Sequence, residues 1–516
     1  MGFHAATRSD GPLRVGEALE TVTGPLQRRR FGDVEIAFGD DVAVSEAGDG
    51  FVVLRWAAQG DGPWALVRLD PRDGTAAVET DVTGQRAPRF AFAGGALHVS
   101  SHDLGLAGVV PFAVDPLSLR SMDDVSWSLG GRSLIRGIDV CGAAERVVLR
   151  VGEVRRETLP VVAAAAPEDA ILSHLADCLP AGPVTAELSA GFDSRASLAA
   201  LLACKPATEI HAFSEGPEDS EDVVIAREIC RRHGVRFERR ETPGPDAALF
   251  LDAWRHEAVR ANGHLEIATL ASLRPSTGET VVCGDGGETF RGSFRPFGLA
   301  WQDPDLRGRD PVAIMRRKFG VPPWLQERLV VAFRRPLEEA QTPAGAIDWF
   351  YVIERLGVCY QKQTRSGLTA GRVSPFYGTA AIAAALRGPS QDIHHKRVHR
   401  ALVAAHLPGA MELPVNGGPS LASYAPGRLH ALRRDAAAVS ERVSRRVRAR
   451  LGSPSRDLAG SRMSVLDTLL TAAAREDPVA RTVLGDPALR RMYSFAPGAR
   501  MFLSRYEAAA GQLGQA

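Results

Sequence analysis

The pattern that most constrains this chain is an alternation of apolar strands and helices that begins near residue 184. The stretch PVTAELSAGFDSRASLAALLA predicts a strand, a glycine-containing turn and a helix. It is followed by the apolar run EIHAFSEG and the helical segment DSEDVVIAREICRRHGV. Apolar runs that alternate with helical periodicity are typical of βαβ units. The sequence therefore predicts an α/β fold with a parallel sheet, and the pattern after residue 348 is mostly helical.

The residues before this alternation follow a different pattern. From about 30 to 155, short apolar stretches such as FVVLRWAA and WALVRLD are separated by GDG, QGDGP and DPRDG turns, which predicts an antiparallel β-rich domain. The chain has 516 residues, more than one hydrophobic core usually organises. A helix is predicted to begin at Pro167. We therefore expect two domains, over residues 1–155 and 156–516.

Composition excludes several classes of function. The 62 basic and 61 acidic residues give a net charge of +1, so no global field favours nucleic acid or an anionic membrane. No apolar run reaches the roughly 20 residues that span a bilayer, and none near the start resembles a signal peptide. The six cysteines are spread singly, which fits reduced thiols better than disulfides or a zinc site. We expect a cytoplasmic protein that binds no nucleic acid.

The turn after the first strand of the alternation is a candidate phosphate-binding loop. In VTAELSAGFDSR, the residues between strand and helix are Ser189, Ala190, Gly191, Asp193 and Ser194. Backbone N–H groups and hydroxyls at a helix N-terminus favour an anion, and Asp193 is suited to hold Mg²⁺ on the phosphates. Taken alone, the turn is also compatible with an ordinary strand-to-helix connection.

This turn resembles the SGGxDS pyrophosphate loop of the asparagine synthetase and ATP pyrophosphatase superfamily, with Ala190 in place of one glycine. A second segment about 90 residues downstream, VCGDGGETFRG, resembles the family's GDGGDELFGG loop. By this match Gly284, Gly286 and Gly287 form the turn, and Glu288 stands where the family has its second Mg²⁺-binding aspartate. The resemblance implies a site for ATP and Mg²⁺, with the carboxylates of the two loops as metal ligands.

A third segment, SPFYGTAAIAAAL from Ser374, resembles the family's R-V-P-F-L-D segment and is followed by HHKRVHRALVAAHLP. In the family a lysine at this position reaches the reacting centre, which implies a catalytic role for Lys396. Without that position between the SPF segment and the helix RVHRALVAAHLP, a single lysine on a helix would be expected on the surface. The three segments cover residues 184 to about 416 and follow one another in the family's order. Leu188 and Phe213 are also assigned to the nucleotide site.

The N-terminal part is similar to the family's glutaminase domain, an Ntn-type β-rich α+β fold, in the stretches GFVVLRW, LVRLDPRDGTAAVET and GGALHVSSHDLGLA. The glutaminases use a cysteine directly after the initiator methionine as nucleophile. Here position 2 is Gly2, and the first cysteine is Cys141. We expect a degenerate glutaminase-like domain, followed by an adenine nucleotide α-hydrolase-like domain of the PP-loop ATP pyrophosphatase type with a helical C-terminal part.

The resemblance implies amide-bond formation through adenylation of a carboxylate. Family members without the glutaminase cysteine include β-lactam synthetases and lasso peptide cyclases. β-Lactam synthetases have a tyrosine that acts as a base at the position of Asp285, so this chain differs from them there. Asp285 is also assigned a catalytic role. The segment DWFYVIERLGVCYQKQTRSGLTAGRVSPF resembles a Y-x-x-E-R motif of lasso cyclases and predicts Tyr351 and Glu354 on one helix face. Glu354 is either a catalytic base or orienting group, or half of a buried pair with Arg355.

Our leading hypothesis is macrolactam closure in a ribosomal precursor core peptide, with a leader peptidase and a leader-recognition protein as candidate partners. One alternative is an amide or β-lactam synthetase that uses a small amine. Another is an inactive leader-binding or structural subunit, against which the retained ATP loops argue. A basic helix is predicted from Arg428 to Leu451, with either a solvated face or a docking surface for an acidic partner.

Overall fold

The structure is a computed structural model that describes residues 3–7, 25–31, 33–47, 50–57, 60–241, 246–267, 270, 279–296, 304–359, 371–416, 418–427, 458–486 and 495–514. The strands are β1 (Phe3–Thr7), β2 (Gln27–Phe31), β3 (Val34–Phe38), β4 (Val42–Glu46), β5 (Val52–Ala57), β6 (Trp64–Leu69), β7 (Ala76–Thr80), β8 (Arg89–Ala93), β9 (Ala96–Ser100), β10 (Asp139–Val140), β11 (Glu145–Arg150), β12 (Glu153–Thr158), β13 (Val184–Glu187), β14 (Ile210–Glu215), β15 (Arg236–Arg240), β16 (Val281–Val282) and β17 (Arg372–Val373).

The α-helices are α1 (Pro116–Val125), α2 (Pro167–Cys178), α3 (Phe192–Cys204), α4 (Glu221–His233), α5 (Ala247–Arg260), α6 (Pro311–Phe319), α7 (Gln326–Glu339), α8 (Pro343–Phe350), α9 (Thr379–Arg387), α10 (Ser390–His394), α11 (Arg397–His406), α12 (Leu458–Ala473), α13 (Pro478–Gly485) and α14 (Ala496–Gly514). A π-helix spans Tyr351–Cys359. The chain is thus a mixed α/β protein.

The N-terminal part is a pair of antiparallel sheets. Within the described residues, β1 to β12 form two six-stranded sheets in the orders β10-β8-β9-β1-β3-β2 and β12-β11-β7-β6-β5-β4. Strand β5 shows why they pack face to face, because Leu54 and Trp56 are buried while Arg55 between them is exposed. The ring of Phe3 from the first sheet meets that of Trp56 from the second at 5.9 Å. The predicted antiparallel region is confirmed.

The second part is built on a parallel sheet in the order β15-β14-β13-β16-β17. Its helices begin and end at residues that the sequence marks. In α4 the Ser220 hydroxyl accepts from the Val223 N–H, and Gly234 ends the helix with φ +66°. Between them Val223, Ala226 and Ile229 recur every three residues and are buried. The predicted strand and helix alternation is therefore confirmed here.

Strand order reverses at the centre of this sheet. The chain runs from β13 outward to β14 and β15, and then crosses to β16 and β17 on the other side of β13. The carboxyl ends of β13 and β16 are thus neighbours, and each is followed by one of the two glycine-containing loops, 188–191 and 283–287. In open parallel sheets, ligands bind outside the carboxyl ends at such a reversal. The topology therefore marks this edge without reference to any family.

The two parts share contacts and a continuous core. The predicted boundary at residue 155 falls inside β12, which pairs with β11 up to Thr158, so the second part begins after that residue. The Asp61 carboxylate accepts hydrogen bonds from the Thr379 hydroxyl and the Ala380 N–H, both at 2.8 Å. Asp61 therefore caps the N-terminus of α9 from the other part of the molecule.

Among the helices of the described ranges, none combines the length and the apolar character needed to cross a bilayer. Position 2 and the predicted basic helix at 428–451 lie outside the described residues.

Candidate functional site

The two glycine-containing loops lie directly against each other. A β carbon placed at Gly284 would lie 2.7 Å from the backbone nitrogen of Ser194, and one at Gly287 would lie 2.7 Å from the Asp193 carboxylate oxygen Oδ1. Real β carbons essentially never come that close to another atom, so both positions require glycine. The fit holds the first turn of α3 beside the loop that carries Glu288.

Asp193 is the centre of a charged cluster. Its two carboxylate oxygens each lie 3.0 Å from the Arg291 Nε, and the His399 Nε2 donates to Oδ1 at 2.8 Å. Burial acts to raise the pKa of Asp193, but the charge of Arg291 and the hydrogen bond from His399 outweigh it, so the pKa falls below its ordinary value. Asp193 is therefore an ionised carboxylate with a cation already in contact.

Glu288 supplies the second carboxyl group of this cluster. Its Oε2 is buried and has no hydrogen-bond partner within the described residues. Burial and the negative charge of Asp193 raise the pKa of Glu288 to about 7. Two carboxylates together with phosphate oxygens are a usual ligand set for Mg²⁺, so these residues fit a magnesium nucleotide. The described ranges contain no group of three or more His, Cys, Asp or Glu side chains that could hold a metal ion.

Lys396 is brought to the same cluster. It precedes α11 with a left-handed φ of +55°, and its ammonium donates to the main-chain carbonyl of Arg291. The ammonium also lies 5.6 Å from the centre of the Tyr424 ring. Left-handed backbone in a residue with a side chain is uncommon and is often found at functional sites. Lys396, which the sequence predicted from its position after the SPF segment, thus contacts the second loop at Arg291, the residue that pairs with Asp193.

The N–H groups of the first loop are used within the protein. Ser189 donates to the Ser194 hydroxyl at 3.1 Å, Ala190 to the Asp222 carboxylate at 2.8 Å, and Gly191 to the Ser189 hydroxyl at 3.1 Å. The loop is therefore held in shape before any ligand arrives. Helix α3 begins at Phe192, and Gly191 before it offers no side-chain cap. The donors open to a phosphate are therefore the N–H groups of the first turn of α3, whereas the sequence predicted those of the loop itself.

Leu188 directly follows β13, and Phe213 lies within the neighbouring strand β14. The Leu188 N–H donates to the Phe213 carbonyl at 2.9 Å, and both side chains are buried. The Phe213 ring is covered by the guanidinium of Arg240, 4.1 Å from its centre. Their assignment to the nucleotide site stays a prediction.

Asp285 lies in an ion-paired group at the ends of β16 and β17. Its carboxylate is 3.8 Å from the Arg372 guanidinium, which also pairs with Glu187, while the Ser374 hydroxyl donates to the Asp285 carbonyl. These contacts tie three neighbouring strand ends together. They give Asp285 a structural role, and the catalytic assignment stays a prediction.

The segment predicted to carry Tyr351 and Glu354 on one helix face is the π-helix. A π-helix closes i→i+5 bonds and therefore takes more residues per turn than the about 3.6 of an α-helix. Side chains three residues apart are thus turned further from each other around the helix axis than in an α-helix. Tyr351 packs edge-on against Phe294 at 4.8 Å and interacts electrostatically with Arg291. Glu354 accepts a hydrogen bond from Trp127, whose ring lies 6.4 Å from that of Phe294, so both side chains reach one aromatic group and the one-face prediction stays a prediction.

Glu354 lies at the junction of the two parts. One carboxylate oxygen accepts from the Trp127 Nε1–H at 3.2 Å and from the Gly130 N–H at 2.9 Å. Glu354 also lines a cavity of about 240 Å³, which shares Gly130, Gly131 and Arg156 with an adjoining cavity of about 460 Å³. Burial raises the pKa of Glu354 to about 7, against the opposing effect of the two donors. This carboxyl group can therefore gain or lose a proton near neutral pH.

We expect Glu354→Gln to remove a decrease in the free energy of unfolding that occurs in the wild type as pH rises. Because the folded pKa of about 7 exceeds the ordinary 4.5, the native state binds more protons than the unfolded chain between those values. This contribution to the free energy of unfolding is complete below about pH 4.5 and is lost as pH rises through 7, by about 3 kcal/mol in all. Urea unfolding from pH 5 to 8.5 would test this, and an unchanged slope in the variant would contradict it.

Sequence reasoning missed two residues of the cluster. Arg291 contacts Asp193 from 98 positions away, and His399 does so from 206. His399 is three residues after Lys396 in a segment predicted to be helical, and that spacing was a usable signal that the two side chains lie close together. Arg291 stands where the family loop GDGGDELFGG has phenylalanine, and that departure was the other signal.

Comparisons with known proteins add little to this description. No family model matches the chain, and no curated protein matches it. Among solved structures it is similar to glutamine phosphoribosylpyrophosphate amidotransferase from B. subtilis, complexed with ADP and GMP. The identity is 9% and the TM-score 0.21, with 56% of this chain and 77% of that chain covered. That protein is a distant structural neighbour, too dissimilar to bear on function.

Proposed function

We propose that the chain is an ATP-dependent, AMP-forming carbon–nitrogen ligase that adenylates a carboxylate and transfers the acyl group to an amine. The observation that carries this proposal is the meeting of Asp193, Glu288 and Lys396 at the reversal point of the parallel sheet. Two carboxyl groups beside an uncapped helix N-terminus suit a magnesium-bound triphosphate, and the lysine next to them suits the acyl centre where the oxyanion would form. The N-terminal part would be a degenerate glutaminase-like domain and the rest an adenine nucleotide α-hydrolase-like domain.

Each part of the reaction would have residues at hand. The first-turn N–H groups of α3 would hold phosphate oxygens. Mg²⁺ on Asp193 and Glu288 would supply positive charge to the departing pyrophosphate. The Lys396 ammonium would stabilise the oxyanion formed when the amine attacks the acyl carbon. The amine must lose a proton, and Glu354, with a pKa of about 7 on the interdomain cavity, is our candidate base.

For the substrate, we propose a peptide that supplies both reacting groups. Ring closure would join its N-terminal amine to an Asp or Glu side chain, giving a lasso-type macrolactam, with a leader peptidase and a leader-recognition protein as partners in the cytoplasm. Support comes from the resemblance of residues 348–376 to lasso cyclases. The cavity of about 240 Å³ that Glu354 lines between the two parts, and that adjoins a larger cavity of about 460 Å³ in the N-terminal part, also exceeds what a small amine requires.

The experiment is an incubation of a candidate core peptide, with its leader removed, with this protein, ATP and Mg²⁺. We expect the peptide to lose about 18 Da, one water, while AMP and pyrophosphate accumulate in equal amounts. The peptide with its N-terminus acetylated is the control and should stay unchanged. AMP formation that requires an added small amine would favour the small-amine synthetase. Absence of AMP with every substrate would contradict the ligase proposal.

A further inference from the structure

We infer that Arg291 is a cation built into the chain, which neutralises the acid pair in the nucleotide-free protein and moves to the phosphates when a magnesium nucleotide binds. This inference deepens the proposed function and rests on it for the identity of the ligand. It assigns to Arg291 a role in coupling metal binding to nucleotide binding.

The first observation is that Arg291 lies where a metal ion would be expected. Its Nε is 3.0 Å from both carboxylate oxygens of Asp193, and its charge also acts on Glu288. A carboxylate pair in a buried place is unfavourable without a nearby cation. In the nucleotide-free protein the guanidinium supplies that positive charge, so a metal ion that arrives alone must compete with it.

The second observation is that the guanidinium has donors to spare. Only its Nε is used on Asp193, and neither Nη has a hydrogen-bond partner within the described residues. The side chain is 26% exposed, so part of it is open to solvent. A guanidinium with two unused NH₂ groups is suited to bind phosphate oxygens in bidentate fashion.

The third observation is that the backbone of Arg291 is held by contacts that do not involve its side chain. The carbonyl of Arg291 accepts from the Lys396 ammonium, and its N–H donates to the Glu288 carbonyl at 3.3 Å. A rotation about the side-chain bonds would therefore carry the guanidinium from Asp193 to a neighbouring phosphate without displacing the loop. His399 would keep the Asp193 carboxylate oriented during that exchange.

Arg291→Met should change two affinities in opposite directions. We expect the nucleotide-free variant to bind Mn²⁺ at least about tenfold more tightly, because the competing cation is gone. We expect a non-hydrolysable ATP analogue with Mg²⁺ to bind at least about tenfold more weakly, because a phosphate contact is lost. Electron paramagnetic resonance of free Mn²⁺ and calorimetry of the analogue measure these quantities without turnover.

Arg291→Lys is the matched control, since it keeps the charge and should leave Mn²⁺ affinity near that of the wild type. Adding Asp193→Asn to Arg291→Met should abolish the gain in Mn²⁺ binding. Arg291→Gln serves the same purpose if the methionine variant does not fold, as judged by circular dichroism. Unchanged Mn²⁺ affinity, or a loss of both affinities, overturns the inference. Opposite shifts in a protein that forms no AMP would uphold the inference and reject the ligase proposal.

Discussion

Asp193→Asn should lower ATP-dependent pyrophosphate exchange by at least about 10³-fold, which corresponds to about 4 kcal/mol in the barrier. The substitution removes the negative charge that would hold Mg²⁺ but keeps the size of the side chain and its place in the first turn of α3. It also leaves Arg291 without its anionic partner beside the phosphates. Exchange of labelled pyrophosphate into ATP, with the carboxylate substrate present, measures the effect.

The control for this variant is Asp477→Asn. Asp477 is also largely buried, caps helix α13 and pairs with Arg255, so its loss disturbs the fold in a comparable way, outside the cluster around Asp193. We expect exchange to persist in that control. Equal exchange in the Asp193 variant and the wild type would remove Asp193 from the reaction.

Lys396→Met should reduce product formation by roughly 10²–10³-fold, the usual effect of removing a donor to a developing oxyanion. Methionine keeps most of the aliphatic part of the lysine side chain, so the substitution at position 396 removes the charge but little of the volume. Binding of ATP should change little, because in our scheme Lys396 acts on the acyl centre. Single-turnover product formation and calorimetric titration of ATP separate the two quantities.

Lys205→Met is a suitable comparison, because the Lys205 ammonium also donates to a main-chain carbonyl, that of Gly182, but at the far end of α3 from the site. It should leave product formation unchanged. Wild-type turnover in the Lys396 variant would mean that another group supplies the charge, and an equal loss of ATP binding would make the lysine a nucleotide ligand instead.

The arrangement of strands and helices could be predicted where it depends on nearby residues. The apolar run before Ser189 is buried along nearly its whole length, as a central parallel strand requires, and the helical period after Glu221 buries one face. Both patterns are local. The reversal of strand order at β13 could not be predicted in this way. It depends on which side of β13 receives β16, a choice made by packing between residues about 100 positions apart.

The candidate site was predictable to the extent that it consists of loops. Ser189, Asp193 and Glu288 follow strands whose ends must meet once the sheet forms, and Lys396 was found through its register. Apart from its departure from the phenylalanine of the family loop, Arg291 carried no signal, because an arginine after a turn is usually a solvated side chain. Only the close approach of the loops at Gly284 and Gly287 turns it towards Asp193.

The π-helix was unpredictable for a related reason. Nothing in YVIERLGVC distinguishes it from an α-helix, since the same residues favour both. What holds Glu354 in place is a pair of donors more than 220 positions earlier, on Trp127 and Gly130. A buried carboxyl group follows its hydrogen-bond donors, because burial without them is unfavourable.

The cap that Asp61 provides for α9 bears on how this gene can evolve. Removal of a helix cap costs about 1 kcal/mol, and here the cap and the helix are encoded some 300 codons apart. A split of the gene after β12 would leave α9 without its N-terminal cap in one product and the Asp61 carboxylate without these two hydrogen-bond donors in the other. We therefore expect the two parts to be inherited together, because each completes a contact that the other leaves open.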